Sequence, residues 1–250
     1  MPNKRSSIIL NCLKQNKSMR LRELCSLFPE YNEMTIRRDL IFLEKHGHIK
    51  RTHGGAEICE DGMPEVFSYS NRSMSMIEEK RQIAAKASLI LEEKTLIYLD
   101  ASTTNLEFVR IMPDIPLFVT TNCPIICIEL SKKKNIDVIM IGGMLNKSAM
   151  SISGTEYMRF LDANINTAFM GAAGFTAENG FSDSHMSEAE FKKYIISSAN
   201  KSVMLIDHSK VGKDRQFIFA KLSDIDIVIS DKQFEENVAN VFEKYNVAVN

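Results

Sequence analysis

The sequence predicts an α/β protein in two parts: an N-terminal winged helix-turn-helix over residues 1–57 and a larger, mostly parallel α/β domain over residues 76–250, joined by a linker at 58–75. Three observations predict it. The first sixty residues carry apolar positions at helical spacing and end in a basic hairpin around "HGG". Beyond residue 90, six short apolar runs of strand character recur, most of them separated by helical segments. Charge divides along the same line: residues 1–60 hold 11 Lys/Arg and 7 Asp/Glu, a net +4, and the remainder hold 20 and 25, a net −5. A basic head on an acidic body confines contact with an anionic polymer to the head.

The head reads element by element. Ile9 and Leu13 set a helix at about 6–16, and Leu21, Leu24, Leu27 and Phe28 set a second at about 21–28, which Pro29 stops. "PEYN" is a turn whose Asn32 suits the N-cap of a third helix. Ile36, Leu40 and Leu43 give that helix its buried stripe to about His46, with Gly47 as terminator. "HIKRT" and "AEI" follow as two short strands. At about 100° per residue, Arg38 lies opposite Ile36 and Arg37 on the flank. Met34 and Thr35 stand in the first turn, the part of a recognition helix that enters the major groove. The forked donors of Arg37 and Arg38 suit guanine or phosphate, and Lys50, Arg51 and His53 on the wing suit the phosphate backbone. The plainer reading is a solvated helix face whose arginines pair with Asp39 or Glu44. The capped helix, the preceding helix at turn spacing and the basic wing together favour double-stranded DNA as the partner.

In the body, "IEEKRQIAAKASLILEE" is helical, and "TLIYLD", "LFVTT", "DVIMIGG", "TAFMGAAG", "SVMLID" and "DIVIS" are buried strands. Ligands in such sheets sit beyond the carboxyl ends of the strands. There the sequence offers Asp100, Ser102, Thr103 and Thr104, then Thr121 and Asn122, Gly142 and Gly143, Gly171 and Gly174, and Asp207 and Lys210. Hydroxyls at a helix start suit an anion, but they serve equally as caps, and the glycines equally as turns. Glu188 and Lys192, four apart on the next helix, read first as a surface ion pair.

"TIRRDLIFLEKHGHIKRTHGGA" resembles the signature of the DeoR family of bacterial transcriptional regulators. "DASTT", "TN", "IGG", "MGAAGF", "EAEFKK" and "DHSKVGK" are similar to the body motifs of the same family, so the resemblance covers nearly the whole chain. It implies a body like the ribose-5-phosphate isomerase and glucosamine-6-phosphate deaminase fold that binds a phosphorylated sugar or related metabolite through the strand-end residues, Glu188 and Lys192, without catalysis. Three departures stand out: Phe28 and Thr35 are seven apart where the family has six, Ser102 replaces a glycine, and Ala173 replaces an aspartate. The expectation is a repressor of a sugar-utilisation operon, a homodimer or homotetramer, needing no cofactor and no metal. The alternative is an isomerase- or deaminase-like enzyme with a DNA-binding head, using Asp100, Asp183, Glu188, Asp207, His185 and His208. A metal sensor built on His46 and His48 lacks a third ligand at sensible spacing. The five cysteines, at 12, 25, 59, 123 and 127, are odd in number and lack CxxC spacing, which predicts free thiols. No apolar run reaches membrane-span length and the N-terminal stretch is too short for a secretory signal, which predicts a cytoplasmic protein without membrane contact.

Overall fold

A computed structural model describes residues 4–45, 49–58, 69–153, 163–234, 236–244 and 248–249. The expected terminator Gly47, together with His46, His48, Cys59 and most of the expected linker, lies outside the described residues. The chain divides into two compact units, Met1–Met74 and Ser75–Asn250.

The first unit runs α1 (Lys4–Asn16), β1 (Ser18–Arg20), α2 (Leu21–Ser26), α3 (Glu33–Lys45), β2 (Ile49–Thr52), β3 (Gly55–Ile58) and α4 (Tyr69–Met74). Ile9, Leu13, Leu24, Phe28, Ile36, Leu40, Leu43, Ile49 and Ala56 form one core, so the helical stripes read from sequence meet as expected. Helix α2 stops at Ser26 and Leu27 is exposed, two residues short of the expected end. Asn32 caps α3, its Oδ1 accepting from the Thr35 N–H at 2.9 Å. Asp39 is not a surface partner of the arginines: it is buried, accepts from Ser6 Oγ at 3.1 Å and pairs with Arg5, so it ties α3 to α1. The short strand β1 has no counterpart in the sequence reading. It adds to the hairpin in the order β1-β3-β2, where Gly55 admits the close approach: a Cβ there would stand 2.1 Å from the Met19 carbonyl oxygen. Helix α4 falls in the stretch expected to be a linker without periodic structure.

The second unit opens with α5 (Ile77–Ser88), β4 (Leu96–Leu99), α6 (Thr103–Ile111), β5 (Leu117–Thr121), α7 (Pro124–Leu130) and β6 (Ile136–Met140). A hairpin follows, β7 (Met144–Asn146) and β8 (Ser151–Ser153), then β9 (Thr167–Gly171), β10 (Gly174–Thr176), β11 (Gly180–Asp183) and α8 (Met186–Ser198). The chain continues with β12 (Ser202–Leu205), β13 (Phe217–Ala220), β14 (Ile227–Ile229), α9 (Glu236–Lys244) and β15 (Ala248–Val249). Seven strands make one sheet in the order β15-β14-β12-β9-β4-β5-β6, every neighbouring pair parallel. All six strands read from sequence belong to it. The central ones are apolar on both faces because both are covered. Phe169 meets Phe108 of α6 on one side, ring centroids 5.0 Å apart, while Tyr98, Met170 and Met204 join Phe191 of α8 and Phe242 of α9 on the other.

The run "TAFMGAAG" is not one strand. It leaves the parallel sheet at Gly171 and enters a three-stranded antiparallel sheet, β10-β11-β13, that packs its aromatics beside α8. Within the described residues, then, β13 stands between β12 and β14 where a helical crossover is expected, and β10 and β11 precede α8 between β9 and β12. Since all seven strands run the same way, their carboxyl ends share one edge, and that edge carries most of the body's candidate residues, Gly174 of β10 excepted.

Candidate nucleic-acid interface and effector site

On α3 the buried stripe fixes what faces outward. Arg38 is exposed and Met34 is 62% exposed. Arg37 lies along the flank with Nε and Nη2 both donating to Glu33 Oε1, at 2.8 and 2.7 Å. Thr35 is half-buried, and its hydroxyl donates to the capping Asn32 at 2.8 Å. On the wing, Lys50 stands in solvent 3.8 Å from Glu57, its cross-strand neighbour, and His53 is exposed in the turn. Arg51 is tied back to the helix: its backbone N–H and its Nε reach the two oxygens of Glu44 at 2.9 and 2.5 Å. Burial alone would raise the Glu44 carboxyl, but the Arg51 bonds outweigh it and hold the group below its ordinary value. Arg37, Glu44, Arg51 and His53 thus line one cleft between recognition helix and wing.

At the sheet edge Asp100 is the hub. Its Oδ1 accepts from the Ser102 N–H at 3.0 Å and Asn105 Nδ2 at 2.8 Å, and its Oδ2 from the Gly171 N–H at 2.8 Å. Ser102 caps α6, Oγ accepting from the Asn105 N–H at 3.1 Å, and Thr103 and Thr104 fill the first turn. Gly171 must be glycine here, since a Cβ would lie 2.6 Å from that of Ser102. Thr121 and Asn122 are buried and engaged. Thr121 Oγ1 accepts from the Cys123 N–H at 3.1 Å, and Asn122 accepts from Tyr98 Oη at 3.0 Å while donating to the Ile152 carbonyl at 3.2 Å. Gly143, at φ 145°, needs glycine; Gly142 has open space where a Cβ would stand. Gly174 lies in β10, where a Cβ would meet the Lys213 carbonyl oxygen at 2.2 Å, so it serves packing rather than the edge. Asp207 is buried and caps the short turn His208–Lys210 that carries Lys210.

Glu188 and Lys192 are not a surface pair. Both are buried, and Lys192 turns to groups brought in by other elements: Nζ donates to the Gly171 carbonyl at 2.6 Å and to Asp183 Oδ2 at 2.8 Å, and lies 3.2 Å from Asp100 Oδ2. Its three N–H groups match those three acceptors. Burial favours the neutral amine, yet the fields of Asp183 and Asp100 prevail and hold Lys192 charged, well above its ordinary value. Lys192 also draws Asp183 below the usual carboxylate range against the effect of burial. Glu188 goes the other way: burial raises its carboxyl, which accepts from Ser151 Oγ of β8. A second bond, His185 Nε2 to Ser148 Oγ at 3.1 Å, ties the same hairpin to the start of α8. Ser148 and Ser151 were not nominated from sequence, and no local spacing marks them. The sequence offers Asp183 and His185 only as pieces of an enzyme. Among the described residues no three His, Cys, Asp or Glu side chains gather as a metal site, and no helix is long and apolar enough to cross a membrane.

Comparison with known proteins gives this arrangement its context. The DeoR-like helix-turn-helix domain matches residues 5–61, and the DeoR C terminal sensor domain matches residues 75–232. The uncharacterized HTH-type transcriptional regulator YulB of Bacillus subtilis is 35% identical, covering 98% of this chain and 95% of that protein. The HTH-type transcriptional repressor GlcR of the same organism is 31% identical over 90% and 86%, and the L-fucose operon activator of Haemophilus influenzae is 31% identical over 98% of each. Among solved structures, ribose 5-phosphate isomerase A of Methanocaldococcus jannaschii is similar at 16% identity and a TM-score of 0.41, covering 55% of each chain. Matched in both its parts and end to end with its relatives, the chain belongs to the DeoR family: it is a transcriptional regulator with a DNA-binding head and a sensor body, not an enzyme.

Proposed function

We propose that this protein represses a sugar-utilisation operon and releases its DNA when a phosphorylated sugar or closely related metabolite occupies the carboxyl edge of the sheet. The observation that carries the reading is the turn beyond β4. Asp100 is fixed by three N–H donors and Lys192, so the chain from Ser102 to Thr104 enters α6 in one set geometry, hydroxyls in its first turn. A helix start of this kind is suited to a phosphate even though residues 61–250 carry a net −5. The carboxylates of Asp183 and Glu188, close to the same lysine, suit sugar hydroxyls. Arg38, Met34 and the wing bind an operator of two half-sites, read by a dimer or a tetramer of this chain.

The test is a titration of the full-length protein, bound to operator DNA chosen from a randomised pool, with a panel of sugar phosphates and their parent sugars. One phosphorylated compound should weaken DNA binding roughly 5- to 150-fold, the usual range for two coupled sites, and its parent sugar should not. Thr104→Val should remove the shift. A response to an uncharged or carboxylate metabolite, with none to any phosphate, overturns the sugar-phosphate part of the reading.

A further inference from the structure

Helix α3 exposes more apolar surface than its fold requires. Ile36, Leu40 and Leu43 are buried, so at about 100° per residue the outward meridian carries Met34, Arg38 and Ile41. Met34 is 62% exposed and Ile41 47%. Among the described side chains of the helix, the other polar groups are engaged sideways: Arg37 with Glu33, Glu44 with Arg51, Thr35 with Asn32, Asp39 with Arg5 and Ser6. The face turned to the partner is thus an arginine with a large apolar side chain one turn to either side.

In the major groove only one group on a base-pair edge is apolar, the C5-methyl of thymine, and the commonest arginine target is guanine O6 and N7. We infer that this stripe reads the operator by methyl contact as well as by charge. Met34 and Ile41 each cover a thymine methyl, and Arg38 between them forks onto a guanine. At about 1.5 Å of rise per residue the stripe is about 10 Å long. That is three base-pair steps at about 3.4 Å each. The half-site is therefore a short core with a guanine between two thymines, counted on either strand. Ile41 becomes a residue that sets specificity, beside Met34 and Arg38.

The experiment uses the full-length protein and an operator selected from a randomised duplex pool. Each thymine of the half-site is replaced in turn by uracil, which removes the methyl and nothing else, and affinity is read by fluorescence anisotropy at fixed salt. Two positions should each weaken binding about fourfold, the value expected for one buried methyl-sized group. Met34→Ala should abolish the uracil effect at one position and Ile41→Ala at the other. A 7-deazaguanine between them should weaken binding to the parent and not to Arg38→Ala. All three side chains are exposed, so the variants keep the fold, which circular dichroism verifies. Uracil tolerated at every position overturns the inference. So does undiminished methyl sensitivity in Met34→Ala and Ile41→Ala, and so does an Ile41→Ala protein that changes its oligomeric state while its methyl sensitivity stays intact.

Discussion

The head and the body each centre on a cation carried by a helix, and they treat it in opposite ways. Arg38 of α3 stands in solvent, opposite the core stripe of its helix. Lys192 of α8 has a side chain only 7% exposed and meets Asp100, Asp183 and the Gly171 carbonyl. A cation that must meet a partner keeps its hydration and its freedom until the partner arrives. A cation whose partners are all internal acts instead as an organiser of loops, joining the ends of β4, β9 and β11. Removal should therefore cost binding without stability in the head, and stability before anything else in the body.

The largest effect should come from Lys192→Met. It leaves Asp100 and Asp183 buried and close together without their cation, a change that costs about 3–5 kcal/mol when one member of a buried pair is lost. Urea unfolding of the body signal measures it. Adding Asp183→Asn should recover part of the loss, because it removes one orphaned charge. An unchanged midpoint in Lys192→Met would mean that the lysine does not hold these loops.

Within the head, one helix offers both kinds of residue. Leu40 is 3% exposed, and Leu40→Ala should cost roughly 2–5 kcal/mol as its cavity fails to close, unfolding so small a unit. Two positions away, Arg38→Ala should leave thermal unfolding unchanged and weaken specific operator binding by about 1–3 kcal/mol. Lys50→Ala, on the exposed wing, should weaken specific and random DNA alike and reduce the slope of log affinity against log salt by about one. A changed sequence preference at constant salt slope would make the wing a reader of bases.

The two regions also differ in how much of them could be read from sequence. The head's helices were legible because Ile36, Leu40 and Leu43 carry the 3.6-residue period and Asn32 the cap, and both signals are local. The central strands were legible because a strand covered on both faces is apolar throughout. The strand β1 was not, since three residues of mixed polarity owe their state to a partner across Gly55. Nor was the small antiparallel sheet, whose first strand continues β9 after only two residues. The charge partnerships were the least legible. Local spacing offered Glu188 to Lys192, and Asp39 or Glu44 to the arginines of α3. The chain instead pairs Lys192 with Asp100 and Asp183, Asp39 with Arg5, and Glu44 with Arg51. These are tertiary choices that no helical wheel encodes. The places of these candidates at the strand ends were thus legible, and their partners in the network were not.

The finest test of the contrast concerns Glu188, the carboxylate of the cluster that Lys192 does not claim. Burial raises its pKa, while the Ser151 hydroxyl and Lys192 only partly offset that, and Asp183 and Asp100 add to the rise. A carboxyl raised by folding gives the folded state an advantage that is complete below the unfolded carboxylate range and disappears as pH rises through the folded value. As pH rises above the unfolded carboxylate range the folded chain therefore carries a growing cost for keeping this group buried. Glu188→Gln removes that cost and keeps an acceptor for Ser151. Its Tm should exceed the parent's at neutral and mildly alkaline pH, and the gain should shrink steadily as the pH is lowered toward about 4, where the parent's own carboxyl is protonated. Arg38→Ala, carried through the same series, should show no such trend, because no buried titratable group is altered. A constant offset between Glu188→Gln and the parent at every pH would mean that the amide differs from the acid in packing alone, and that Glu188 is as well paired as Asp183.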